Sequence, residues 1–118
     1  MGKLTTHVLD TAQGVPGAGI GVSLYRLTST GREALKTTIT NSDGRCDAPL
    51  LDGEAFSAGV YELEFAAGEY FARTGGKVKK SPAFLDEVVI RFGINSPDEH
   101  YHVPLLVSPF AYSTYRGS

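Results

Sequence analysis

The residues of this chain best suited to chemistry are His7, Arg45, His102 and the closing Tyr115-Arg116-Gly117-Ser118. A histidine exchanges protons near neutral pH because its unperturbed pKa is about 6.5. Arg45 ends the stretch "NSDGR" and carries a planar fork of donors that matches oxygen atoms and developing negative charge. The last four residues combine a phenol ring, a guanidinium and a hydroxyl at the end of the chain, where most domains fray into polar residues. Each feature also has a plain structural reading. A lone histidine on the outer face of a strand is commonly solvated, an arginine after a turn is commonly surface charge, and tyrosine favours half-buried sheet surfaces. His100 beside His102 keeps that plain reading.

Other chemistries find less support. A zinc site needs three or four converging ligands. Only His7, His100 and His102 are available, and there is neither a cysteine cluster nor an HExxH motif, so no metal is expected. Cys46 follows Arg45, whose charge favours a thiolate, but the commoner role is a small buried hydrophobe. No GxSxG elbow, phosphate-binding P-loop or GxGxxG fingerprint occurs. The glycine-rich "GVPGAGIG" is followed by a strand pattern and reads as a loop.

The elements that must hold these residues are short runs of period two, bounded by Gly, Pro, Asn, Asp or Ser. In "IGVSLYRL" Ile20, Val22 and Leu24 share a face. In "VYELEF" Tyr61, Leu63 and Phe65 alternate with Glu62 and Glu64. "EVVIRFGI" groups Val88, Ile90, Phe92 and Ile94. "HYHVPLLV" groups Tyr101, Val103, Leu105 and Val107, leaving His100, His102 and Pro104 opposite. In the first strand His7 lies with Thr5 and Leu9, opposite Leu4 and Val8. Residues 4–9, 34–40 and 110–116 complete the candidate strands. "AGEYFARTGG" alone reads as helix, stopping at Gly75-Gly76. Pro104 has no N–H for a ladder and predicts an edge or a bulge. The pattern predicts an all-β sandwich, one domain over residues 1–118.

Composition bounds the partners. Eleven Lys+Arg against 13 Asp+Glu leave a net charge of −2, which lacks the basic footprint of a nucleic-acid binder. No apolar run approaches the roughly 20 residues that span a bilayer. The opening "MGKLTTHVLD" lacks the apolar segment of a secretory signal, and the single Cys46 allows no internal disulfide. A cytoplasmic setting is the simplest reading, with a mature exported form as its rival.

"HVLD" followed by "GVPGAG", the central "TNSDGR" and the closing "YHVPLLVSPFAYSTYRGS" together resemble the 5-hydroxyisourate hydrolases, the purine-catabolic branch of the transthyretin-like proteins. The likeness runs from about Leu4 to Ser118, departing at Gly17 and Ala111, where alanine and glycine respectively are common. It implies a transthyretin-like (prealbumin-like) sandwich of two four-stranded antiparallel sheets with one short helix. It also implies a homotetramer, a dimer of dimers, with active sites in a channel at the dimer–dimer interface. The implied reaction is hydrolysis of the ring amide of 5-hydroxyisourate, without cofactor. In it His102 activates water, His7 orients or relays a proton, and Arg45 faces substrate oxygens. Tyr115, Arg116 and Gly117 line the substrate site, and Ser118 presents its hydroxyl or the terminal carboxylate. The resemblance leaves open which histidine is the base. Relatives occur in cytoplasm, periplasm and peroxisome, and "RGS" is no peroxisomal signal. The competing reading is a non-catalytic transthyretin-type carrier of a small aromatic ligand.

Overall fold

A computed structural model describes residues 2–75 and 81–117. Among these residues nine strands and one α-helix follow in order, with one 3-10 turn at Gly53–Ala55: β1 Lys3–Asp10, β2 Val15–Pro16, β3 Gly21–Thr28, β4 Gly31–Ile39, β5 Leu51–Asp52, β6 Gly59–Phe65, α1 Ala67–Thr74, β7 Val88–Ile94, β8 Tyr101–Val107 and β9 Tyr112–Thr114. They form two sheets. One runs β2-β1-β8-β9 with β5 also on β1, and the other runs β4-β3-β6-β7.

The period-two runs become strands because alternation lets each bury one face. Tyr61, Leu63 and Phe65 of β6 and Val22 and Leu24 of β3 are fully buried, and they meet Leu4 and Val8 of β1 with Leu105 and Val107 of β8. Glu62 departs from the alternation: it is nearly buried on the outer face of its sheet. Arg32 at 3.2 Å and Arg91 at 2.9 Å flank its carboxylate and cover it.

The two-sheet sandwich with one helix agrees with the expectation, with two refinements. The first sheet holds five strands, because the two-residue segments β2 and β5 both pair with β1. The β1–β8 pair runs parallel, with Thr5 opposite His102 and His7 opposite Pro104. The helix ends at Thr74, and the Gly75 N–H closes the last turn on the Phe71 carbonyl at 2.7 Å; Gly76 lies outside the described residues.

Pro104 is not on an edge strand, since β8 lies between β1 and β9. Leu105 pairs with Thr114, and an isolated bridge joins His102 to Gly117. This shared register puts Pro104 opposite Tyr115, between the end of β9 and that bridge. The missing N–H falls where the ladder lapses. The same lapse ends the final strand at Thr114, short of the expected 116, and the turn closed by Ser108 N–H on the Ala111 carbonyl moves its start from the expected 110 to Tyr112.

Asp10, the last letter of "HVLD", is structural. Its fully buried carboxylate accepts the backbone N–H groups of Ala12 and Gln13 at 2.9 and 3.0 Å. It also accepts Gln13 Nε2 and the Tyr70 hydroxyl, each at 2.8 Å. It thereby fastens the end of β1 to α1. Asp10→Ala strands several of these donors and should cost about 2–4 kcal/mol, read as a fall in the urea midpoint. A cost below about 1 kcal/mol would show that water replaces the carboxylate freely.

Candidate active site

The outer face of the five-stranded sheet gathers most of the chemical residues. Residues paired across strands project to the same side, so register fixes their order. Arg45 bridges His7; β1 pairs with β8 through Thr5–His102 and His7–Pro104; His102 bridges Gly117. Arg45, His7, His102 and Gly117 therefore follow one another across one face, and the same register places Tyr115 on it.

Arg45 is held at its backbone. The Asn41 side-chain oxygen accepts the N–H groups of Asp43 and Arg45 at 2.9 and 3.1 Å. Asn41 N–H closes the turn on the Arg45 carbonyl at 2.7 Å. Gly44 is required here. Its φ is +76°, and a Cβ would stand 2.4 Å from the Val8 carbonyl oxygen. That close approach lets Val8 N–H reach the Gly44 carbonyl at 2.8 Å, docking the turn against β1.

The His7 and His102 rings lie 6.5 Å apart between centroids, tilted by 34°. That is too far for a direct hydrogen bond, but about the span of one polar atom bonded to both rings at roughly 2.8 Å each. The Thr5 hydroxyl meets His102 Nδ1 at 2.8 Å. Burial first, and then the positive charges of Arg45 and His7, push the His102 pKa below its ordinary 6.5. Each of these causes favours the neutral ring, the form that can take up a proton.

Arg116 takes another course. Its guanidinium stacks on the Tyr101 ring at 3.9 Å and donates to Glu99 at 2.9 Å and to the His100 carbonyl at 3.0 Å. Tyr101 belongs to the core side of β8, so within one chain the Arg116 side chain is directed away from the histidines. It lines a separate depression with Gly59, Asn95 and Tyr101. Ser118 lies outside the described residues. Cys46 is partly buried against the core, and burial pushes its thiol pKa up, which favours the neutral thiol. Among the described residues no three His, Cys, Asp or Glu side chains are grouped to hold a metal ion. Thr5 escapes motif reading, because its tie to His102 depends on a parallel register between distant strands.

The profile of the HIUase/transthyretin family matches residues 4–117. The 5-hydroxyisourate hydrolase of Pseudomonas aeruginosa is 60% identical over 118 residues, covering 100% of this chain and 93% of that protein. The structure of Klebsiella pneumoniae 5-hydroxyisourate hydrolase superposes with a TM-score of 0.79 at 36% identity, covering all of both chains. Sea bream transthyretin in complex with thyroxine superposes at 0.85 with 26% identity, over 98% of this chain and 94% of that one. The chain therefore belongs to the HIUase/transthyretin family.

Proposed function

We propose that this protein hydrolyses 5-hydroxyisourate to 2-oxo-4-hydroxy-4-carboxy-5-ureidoimidazoline, a step of urate degradation. The observation that carries the reading is the row Arg45–His7–His102 across one sheet face. In the proposed path His102 takes a proton from water as the oxygen attacks the ring carbonyl carbon C6. The negative charge that forms on the carbonyl oxygen meets the Arg45 guanidinium. The C6–N1 bond then breaks and N1 takes a proton, delivered by the imidazolium or relayed through His7. Acid–base groups and an oxyanion partner suffice for these steps, so no cofactor is invoked.

A homotetramer, arranged as a dimer of dimers, would enclose this face in a channel, and Tyr115, Gly117 and Ser118 would wall it. Arg116 contributes there only through its hold on the C-terminal segment or by reaching a neighbouring subunit's site. Cytoplasmic residence fits the lone free Cys46. Membership of a family that includes a thyroxine-bound transthyretin favours one second reading, a carrier without chemistry. An ultraviolet assay on 5-hydroxyisourate freshly made by urate oxidase separates the two. Decay faster than the spontaneous rate supports hydrolysis; ligand binding at the spontaneous rate supports the carrier.

The pH profile gives a sharper prediction. A base is active unprotonated, so kcat/KM should rise through the His102 pKa, below 6.5, and level off by neutral pH. Arg45→Gln removes a charge that lowers that pKa, so the acid limb should move to higher pH. The plateau should also fall by roughly 10²–10³-fold, as when an oxyanion donor is lost. An acid limb that stays in place would separate Arg45 from His102 electrostatically.

A further inference from the structure

His102 sits on an inner strand, and the backbone segment on each side, β1 and the tail beyond β9, borders a different edge of its imidazole. On the β1 side, Thr5 Oγ1 lies 2.8 Å from Nδ1. On the other side, the Gly117 N–H donates to the His102 carbonyl at 2.7 Å. There a Cβ on residue 117 would stand 2.8 Å from His102 Cδ2 and 3.4 Å from Cγ. Nδ1 and Cδ2 are the two ring atoms next to Cγ. With one taken by each neighbour, the distal edge, Nε2 and Cε1, is what the ring presents outward.

We infer that Thr5 and Gly117 are positioning residues for His102. Thr5 holds the ring by Nδ1 so that Nε2 is the proton-exchanging atom, and Gly117 leaves the space the ring occupies. This rests on the proposed hydrolysis for its kinetic consequences only.

A hydroxyl suits the task better than a carboxylate. In the tautomer we assign to the neutral ring, Nδ1–H donates to Thr5 Oγ1, a direction the 2.8 Å contact allows, and Nε2 bears the lone pair. Once Nε2 has taken a proton the same Nδ1–H···Oγ1 bond persists, so the ring keeps its contact through the cycle. Being uncharged, Thr5 orients the ring without adding an anion, which would raise its pKa. The pKa of the ring thus stays under the control of burial, Arg45 and His7, all of which push it down. Gly117 has a comparably specific reason: the φ of this residue is not in the left-handed region, so glycine is needed for the close approach alone.

Thr5→Val keeps the shape and strand preference of threonine and removes only the hydroxyl. It should lower kcat roughly 10- to 100-fold, as misplacement of a reacting group does, with little change in KM, and Thr5→Ser should recover most of the loss. In ¹⁵N spectra of the labelled full-length protein above the His102 pKa, the wild-type ring should show Nδ1 protonated. Thr5→Val should shift it toward the Nε2–H form that free histidine prefers. Gly117→Ala should displace the ring signals and lower kcat independently. Wild-type kcat in Thr5→Val, or a ring tautomer that the substitution leaves unchanged, would overturn the Thr5 assignment. Undisturbed ring signals in Gly117→Ala would overturn that of Gly117. Should the wild-type protein fail to hydrolyse 5-hydroxyisourate, the functional reading falls, and the ring spectra still decide the positioning.

Discussion

Replacing His102 by alanine should lower kcat/KM for 5-hydroxyisourate by roughly 10²–10⁴-fold, the usual contribution of a positioned general base. The fold should survive the change. His102 lies on the outer face of its sheet, opposite buried Tyr101 and Val103. The backbone bonds that join β8 to β1 and to Gly117 do not need its side chain. The truncation leaves the part-buried Thr5 hydroxyl without its ring partner, a loss of about 1 kcal/mol that water can offset. The urea midpoint should therefore move little while turnover collapses. Added imidazole should restore part of the rate, since the substitution opens a ring-sized space beside Gly117. A folded His102→Ala protein with turnover near wild type would remove His102 as the base. His7→Ala, with its ring 6.5 Å away, would then be the variant in which the large loss must appear.

Much of this site can be read from the chain because a strand obeys a strict parity. Leu4, Thr6 and Val8 are buried, which sends Thr5 and His7 to the other face. Tyr101 and Val103 do the same for His102. The Asp-Gly turn before Arg45 is equally local: Gly44 must adopt a positive φ, and Asn41 caps the bend. What parity does not carry is adjacency. Thr5 and His102 are 97 positions apart, and only the parallel register of β1 on β8 makes them neighbours. Long-range pairing depends on the packing of two whole sheets, so no local pattern discloses it. The tail shows the same limit. A motif groups Tyr115, Arg116 and Gly117 as one unit, whereas alternation past the Pro104 gap sends Arg116 to the Tyr101 side and leaves its neighbours on the histidine side. Glu99, which receives Arg116, becomes meaningful only once that direction is known.

That division within the tail sets the second large effect. Deleting Tyr115 to Ser118 should abolish measurable hydrolysis, a loss beyond roughly 10²-fold, and leave a folded sandwich. All nine strands end by Thr114, so no core residue is removed. The deletion takes away the Arg116–Glu99 pair, the Arg116 bond to the His100 carbonyl, the Arg116–Tyr101 stack and the Gly117–His102 bond. An exposed ion pair, an exposed side-chain hydrogen bond, a cation–π interaction and one backbone hydrogen bond are together worth about 2–4 kcal/mol. Light scattering must accompany the assay, because loss of the proposed tetramer would silence a site built between subunits as surely as loss of the tail residues themselves. Arg116→Ala then separates two causes within a full-length tail. If Arg116 serves mainly as a strap for the segment bearing Gly117, its loss should lower kcat and disturb the His102 ring signals together. If it reaches substrate in a neighbouring subunit, KM should rise while those signals stay in place. A truncated chain that still hydrolyses at the wild-type rate would reduce the tail to packing against Tyr101, and would leave Arg45, His7 and His102 to account for the reaction alone.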